Sequence, residues 1–428
     1  MSVQIPYRYR VLIFLFFLTF ITYLDRVSIS LVGLRIKTEF KLTNSQFGWV
    51  LASFSLAYAL FEVPSAMLGD RIGQKAVLTR IVLWWSVFTV LTGLCTGFFS
   101  LLVVRFLFGV GESGAYPNSG GVVARWFPAN ETSRGISWFA IGSNTGAAMA
   151  PLFILPVAAA FGWRMTFLIN GLIGLMWVAV CLLWFRNHPS EMKGISEAER
   201  QYIEENRRFQ SHGQDFHWDI ALKSRTVWGL LVSFFATQGA LYFFVAWMPV
   251  YLQEGRRMQE NQMKAITSWL FIIGAASALI AGYVIDWLVK ETGLSKGRRI
   301  SGVTSVAMMA LAFIVAARTS NNDWVIICFW AGNFFLWHNI VDSVSVCVDI
   351  AGERAATLYG LMNFAGQIGA FFLAATFGRI VDITHNFNAP LFLTAFLLLI
   401  GSVLWLFVRA DKPLFPEMKP MPQPGNNF

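Results

Sequence analysis

Among the ionisable side chains that stand inside long apolar runs in the first half of the sequence, four could do chemistry together. Asp25 and Arg26 lie in TYLDR, and Arg105 and Glu112 lie in RFLFGVGESGAYPN. A charge inside an apolar helix costs about 2.5–3.5 kcal/mol on insertion scales, so each calls for a partner or a pathway. A guanidinium presents a planar fork that grips a carboxylate through two hydrogen bonds. Arg26 is therefore read as an anchor for an anionic substrate. Asp25 is read as a proton site, because burial disfavours its charged form while a nearby arginine favours it. Substrate arriving at Arg26 would tip that balance. Adjacent helical residues point about 100° apart, so Asp25 and Arg26 need not neutralise each other. The competing reading is a buried ion pair that fixes packing. Arg105 and Glu112 fall two helical turns apart on one face, and they too fit either a structural pair or a proton carrier beside a fixed positive charge.

Weaker candidates surround these four. Tyr23, Tyr58 and Tyr242 can hydrogen-bond the hydroxyls of a polar substrate, or serve as packing and interfacial aromatics. Asn144 and Asn363 lie in glycine-rich apolar segments, where amides either hold helices together or touch ligand. His338 and Asp342 are spaced i,i+4 with Ser345 nearby. They read as a mutually satisfied pair or as an extra acid that favours a cationic group, a proton or sodium. Gly69, Asp70, Arg71, Gly73 and Lys75, with Arg134, read as a cytoplasmic gate, or as an ordinary solvated loop; the glycine spacing points to a tight turn.

The elements that hold these residues are legible from length and hydropathy. The 428 residues are 56% hydrophobic and 13% charged, the latter about half the share of a soluble domain. A span needs roughly 20 apolar residues. Twelve runs qualify: 11–31, 45–69, 76–97, 99–123, 134–160, 165–186, 227–252, 262–288, 300–317, 323–350, 355–381 and 388–409. The expected fold is an all-α polytopic membrane protein, with a six-helix bundle over 1–186 and another over 227–410. Between them, 187–226 forms a linker loop. Within it a surface helix from Ser196 to Phe209 is expected, capped by Ser196 with Glu199 three residues on. The proline-rich tail, 411–428, is expected to be disordered.

Charge gives orientation. Lysines and arginines concentrate in alternate loops, including Arg71, Arg125, Lys193, Arg207, Lys296, Arg298 and Arg299, and are sparser in the others. That bias places both termini and the linker in the cytoplasm. The net charge of +9 is thus spread through short loops and does not form a basic patch for nucleic acid. Cys95, Cys181, Cys328 and Cys347 form no CxxC pair and read as lone buried thiols. No P-loop or HExxH motif appears, so no enzyme, nucleotide-driven cycle or metal cofactor is expected.

The halves echo each other. MLGDRIGQKAVL (67–78) parallels AGYVIDWLVKETGLSKGRR (281–299), and NETSRGISWFAIGSNTGAAMAP (130–151) parallels AGERAATLYGLMNFAGQIGAFF (351–372). Such repeats build two bundles that rock around a shared site. On Gly69–Lys75, the span count and the repeat, the chain resembles the major facilitator superfamily over nearly its whole length. On Tyr23, Asp25, Arg26, Tyr58, Arg105, Glu112 and Asn363 it resembles that family's anion:cation symporters, which include bacterial sugar-acid/proton symporters. Asp342 departs from the pattern, since relatives usually carry an aromatic residue there. The resemblance implies proton-coupled symport of a small organic anion such as a hexuronate, aldonate or aldarate. It implies an inner membrane, a lipid bilayer as the main partner, and a monomer. Asp25 and Glu112 would carry protons. Export of an amphipathic or cationic compound, or a transport-dead sensor, are the alternatives.

Overall fold

The computed structural model describes residues 5–128, 131–206 and 217–415. They form helices throughout: α1 (Tyr7–Leu31), α2 (Gly33–Phe40), α3 (Asn44–Ile72), α4 (Gln74–Gly93), α5 (Phe98–Glu112), α6 (Ala115–Trp126), α7 (Thr132–Phe161) and α8 (Trp163–Leu183). After the linker helices α9 (Glu197–Asn206) and α10 (Trp218–Lys223) come α11 (Arg225–Tyr242), α12 (Met248–Val250), α13 (Glu260–Thr292), α14 (Leu294–Arg318), α15 (Asn322–Ala351), α16 (Ala355–Thr384) and α17 (Ala389–Trp405). Taking α5 with α6 and α11 with α12, eleven of these are long and apolar enough to cross a bilayer. The twelfth, α17, has 17 residues, about 26 Å of helix. It stops short of the expected Arg409 because the chain turns after Trp405, and the Arg409 amide donates to Thr226 Oγ1 at 3.2 Å.

The chain divides into two compact units, Met1–Gln210 with Gln259–Ser268, and Ser211–Met258 with Trp269–Phe428. Each repeats the same pairings. In the first, α1 packs on α7 and α4 on α8; in the second, α11 packs on α16 and α14 on α17. Glycine permits the closest of these contacts. A Cβ at Gly146 of α7 would collide with the Phe20 carbonyl of α1, and one at Gly369 of α16 with the Phe235 carbonyl of α11. The joints repeat as well. Gly73 (φ 88°) links α3 to α4, and Gly293 (φ 86°) links α13 to α14. Positive φ lets one residue reverse the chain, which a residue with a Cβ resists.

Local chemistry sets the ends and interruptions. Thr43 and Gln46 form a reciprocal capping box on α3, at 3.1 and 3.0 Å. Pro249 offers no amide to the helical ladder. Around it the backbone widens into π turns at Phe243–Trp247 and Tyr251–Gly255. Short α2 is stapled to α8 by Glu39, which accepts from Trp163 Nε1 at 2.6 Å and Arg164 Nη1 at 2.5 Å. Those bonds, the tryptophan's first, hold the Glu39 carboxyl below the usual carboxylate range.

The linker is partly structural. Ser196 Oγ accepts from the Glu199 amide at 3.2 Å, and the capped helix follows. Glu199 in turn accepts from the amides of Tyr7 and Arg8 at 3.0 and 3.1 Å. A carboxylate thereby caps the positive end of α1. The expected extension of α9 to Phe209, and the tail beyond Phe415, lie outside the described residues.

Adding an isopropyl group at the close approaches should be felt as overpacking, at about 1–3 kcal/mol each. Gly146→Val and Gly369→Val are each expected to lower the melting temperature of the detergent-solubilised protein. An unchanged melt in both would show that the helices part there without cost.

Candidate functional site

In the first unit, α1 and α5 bring their charges together. Arg26 donates from Nε to Glu112 Oε1 at 2.8 Å, and its Nη2 completes an ion pair with the same oxygen. Glu112 is fully buried, and its other oxygen, Oε2, has no hydrogen-bond partner among the described residues. The Arg26 guanidinium lies 4.9 Å from the Tyr23 ring, 5.0 Å from Phe54 and 5.2 Å from Tyr58. Three ring faces attract the cation without consuming its hydrogen-bond donors. The two in-span pairs suggested by sequence, Asp25 with Arg26 and Arg105 with Glu112, thus yield to a pair that crosses between helices. Arg105 is buried with its guanidinium over the Phe108 ring at 4.3 Å and near Phe54 at 5.4 Å.

The backbone breaks immediately after Glu112. Helix α5 ends there and α6 begins at Ala115, because Pro117 lacks the amide that would bond the Ser113 carbonyl. Asn118 repairs the break by donating to the Gly114 carbonyl at 2.8 Å and to Ser65 O at 3.3 Å. Gly109 and Gly114 admit α3, and Gly111 admits Trp84 of α4. Next along α6, Tyr116 hydrogen-bonds Ser143 of α7, beside the buried Asn144. The Tyr116 ring meets Tyr23 edge-on at 6.4 Å. Tyr116, Ser143 and Asn118 were not singled out in sequence, although the first and last stand in the GESGAYPN run.

Asp25 points elsewhere. It is 1% exposed, and neither carboxylate oxygen has a hydrogen-bond partner among the described residues. Thr89 of α4 and Asn170 of α8 face it.

The expected gate is partly visible. Gly73 makes the turn, Arg71 is exposed, and Gly69 packs against Asn118. Lys75 donates its amide to Asn187 Oδ1 at 2.8 Å and its ammonium to the Leu182 carbonyl at 2.9 Å. Asn187, assigned by sequence to the linker, therefore caps α4. The side chains of Asp70 and Arg134 lie outside the described residues.

In the second unit the arrangement differs from expectation. His338 shares a hydrogen bond with Ser301 of α14 at 2.9 Å. Asp342 accepts from Arg298 Nη1 at 3.3 Å, and Arg298 Nε donates to Asp349 at 2.9 Å. The face of α15 that carries both residues packs on α14, and partners one turn apart on α14 reach them before they reach each other. Arg298, read from sequence as a cytoplasmic loop cation, is an 8% exposed helical residue shared by two acids. Tyr242 and Asn363 are buried in the same unit, where Thr237, Asn339 and Ser305 form a hydrogen-bond chain at 3.1 and 3.3 Å.

Removing one member of a buried ion pair strands the other, at about 3–5 kcal/mol. Arg26→Met and Glu112→Met are each expected to lower thermal stability in detergent, and the double variant to recover most of the loss. Strictly additive losses would mean that the two side chains do not depend on each other.

The Major Facilitator Superfamily model matches residues 15–374. A probable sulfoacetate transporter of Cupriavidus necator is 30% identical over 424 residues, covering 96% of this chain and 95% of the relative. The hexuronate transporter of Bacillus subtilis is 29% identical, covering 93% and 94%. The D-galactonate transporter of Escherichia coli is 26% identical, covering 94% and 96%. A solved bacterial homologue of the human lysosomal transporter Spinster superposes with a TM-score of 0.76 at 18% identity, covering 95% of this chain and 97% of that one. The chain belongs to the Major Facilitator Superfamily, as a multi-pass membrane transporter related to carriers of sugar acids and other organic anions.

Proposed function

We propose that this transporter carries a small organic anion, a sugar acid in particular, together with protons by alternating access. The observation that carries the reading is the Arg26–Glu112 pair inside its aromatic box. Glu112 and a substrate carboxylate compete for one guanidinium. A proton on Glu112 abolishes its claim, and the freed fork then takes the substrate through two charge-assisted hydrogen bonds. Proton and anion thus arrive together and leave together. Asp25 is the second acid of the site, and Tyr23, Tyr58, Arg105 and Asn144 are candidate contacts for the rest of the substrate. Tyr242, Asp342 and Asn363 are the candidates in the second unit, and the segment Gly69–Lys75 with Arg134 is the candidate gate. Sulfoacetate, hexuronate and galactonate, named for the relatives, all carry a carboxylate on a polar body, which supports the assignment. The charge bias of the loops supports an inner membrane with both termini cytoplasmic.

Export of a cation would use Asp342 as counter-charge. Its engagement by Arg298 weighs against that use.

In proteoliposomes with an inward proton gradient, Asp25→Asn and Glu112→Gln are expected to abolish uphill uptake of galactonate or glucuronate while sparing some exchange. Arg26→Ala is expected to remove binding of the anion. Normal accumulation by both acid variants would end the coupling scheme. Asp342→Asn is expected to leave the preference for anions over cations unchanged, and a switch toward cations would favour export.

A further inference from the structure

A groove of about 470 Å³ lies between α1 and α8. It extends from Arg10 to Ile21 on α1 and from Trp184 to Ile173 on α8, about 16 Å of helix on each side. Its floor is fixed. The buried Phe14 and Trp177 rings stack at 4.3 Å, and Trp177 Nε1 donates to the Phe14 carbonyl at 3.2 Å. Its walls are apolar and open, with Phe17 50% exposed on α1 and Met176 61% exposed on α8. Among the residues that line it, Arg10 alone is charged.

The two ends of the groove differ. Tyr7 donates its hydroxyl to the Lys193 carbonyl at 3.3 Å, so the start of α1 and the chain just past α8 lie at one level. Arg10 and Trp184 close the groove at that end. The Arg10 guanidinium turns back toward the helix start, over the Tyr7 ring at 4.4 Å, and its Nε donates to the Ile5 carbonyl at 3.1 Å. It makes no ion pair among the described residues. Arg8, two residues earlier, is held instead by Glu131 at 3.0 Å and Glu199 at 3.3 Å, so those acids are committed. The apolar length of the groove is about half of a ~30 Å hydrocarbon core, the depth of one leaflet. A long basic side chain and a tryptophan at the ends of spans mark the headgroup level.

We propose that this groove binds one anionic phospholipid, with an acyl chain along the α1–α8 floor and the phosphate on the Arg10 guanidinium. Shape and charge agree on that occupant. A flexible apolar chain follows the open walls for the depth of a leaflet and covers Phe17 and Met176. A phosphate at the closed end accepts charge-assisted hydrogen bonds from the guanidinium fork. A zwitterionic head would bring its ammonium beside an arginine that has no acid of its own, so the site favours a head with net negative charge. A second copy seated on this face about a two-fold axis along the membrane normal would set another Arg10 at the same level, cation against cation. Arg26, also on α1, faces Glu112 of α5, so the lipid site does not depend on the transport scheme.

Photocrosslinking of the full chain in detergent micelles tests the site, with phosphatidylglycerol that carries a photoactivatable group on one acyl chain. Crosslinks are expected on peptides from α1 and α8. Unlabelled phosphatidylglycerol is expected to compete about fivefold better than phosphatidylcholine with the same chains, the scale of one basic residue against an anionic headgroup. Arg10→Gln is expected to erase that preference while leaving the melting temperature in lipid-free micelles unchanged. Arg10→Lys, which keeps the charge, is expected to retain most of it. Arg186→Gln removes a cation that donates to the Leu183 and Phe185 carbonyls outside the groove, and is expected to change nothing. Met176→Trp, which fills the groove, is expected to reduce crosslinking by either lipid. Crosslinks spread over the other spans, equal competition by the two lipids, or a preference that survives Arg10→Gln overturns the site. Competition by inorganic phosphate as strong as by phosphatidylglycerol would reveal a free-anion site, and a dimer that excludes the labelled lipid would reveal a second copy; either overturns the lipid assignment.

Discussion

The cost of placing charge in an apolar interior governs this molecule. No side chain at the centre of a helical bundle can stay ionised unless something answers its field. Arg26 and Glu112 answer each other across α1 and α5, and three aromatic rings enclose the guanidinium. The rest of the first unit is arranged to allow that meeting. Gly109 lets α5 approach α3 closely enough for Phe54 to serve both arginines. The break after Glu112 ends the ladder at the acid, and Asn118 absorbs the polar backbone that the break exposes. A local defect in one helix is thus matched by a compensating amide one turn later.

Length and hydropathy made the spans legible, because a bilayer imposes a minimum length on any helix that crosses it. The joints were legible too, since Gly73 stands where only positive φ reverses the chain in one residue. Pairing was not. Arg26 and Glu112 are separated by a whole hairpin of helices, and nothing in local spacing says which of two acids an arginine will choose. The same limit explains Arg298. Its neighbours Lys296 and Arg299 gave it the appearance of a loop cation, yet α14 begins at Leu294, and Asp342 and Asp349 of α15 draw it inward. His338 and Asp342 share a face by periodicity, but periodicity is silent on what lies opposite.

The two units solve the same packing problem with equivalent parts. Gly146 and Gly369 sit at corresponding close approaches, and Gly73 and Gly293 at corresponding turns. Their charged clusters are not equivalent. The first unit sets one acid against Arg26 and leaves Asp25 without an ion pair among the described residues. The second sets two acids, Asp342 and Asp349, on the single guanidinium of Arg298. Backbone symmetry therefore persists where shape decides, and side-chain symmetry is lost where charge decides.

That asymmetry has a physical consequence. A cluster in which one arginine faces two carboxylates already carries more acids than arginines, which disfavours an incoming anion. A cluster in which one arginine holds one carboxylate exchanges that carboxylate for another at little electrostatic cost, provided the displaced acid is neutralised. In the proposed scheme, anion exchange at Arg26 would require a positive charge to arrive at Glu112 or Asp25, whereas at Arg298 it would require two. On the proposed coupling, the ion stoichiometry would follow from this difference more than from the chemistry of the substrate, and the exchangeable carboxylate would belong to the first unit.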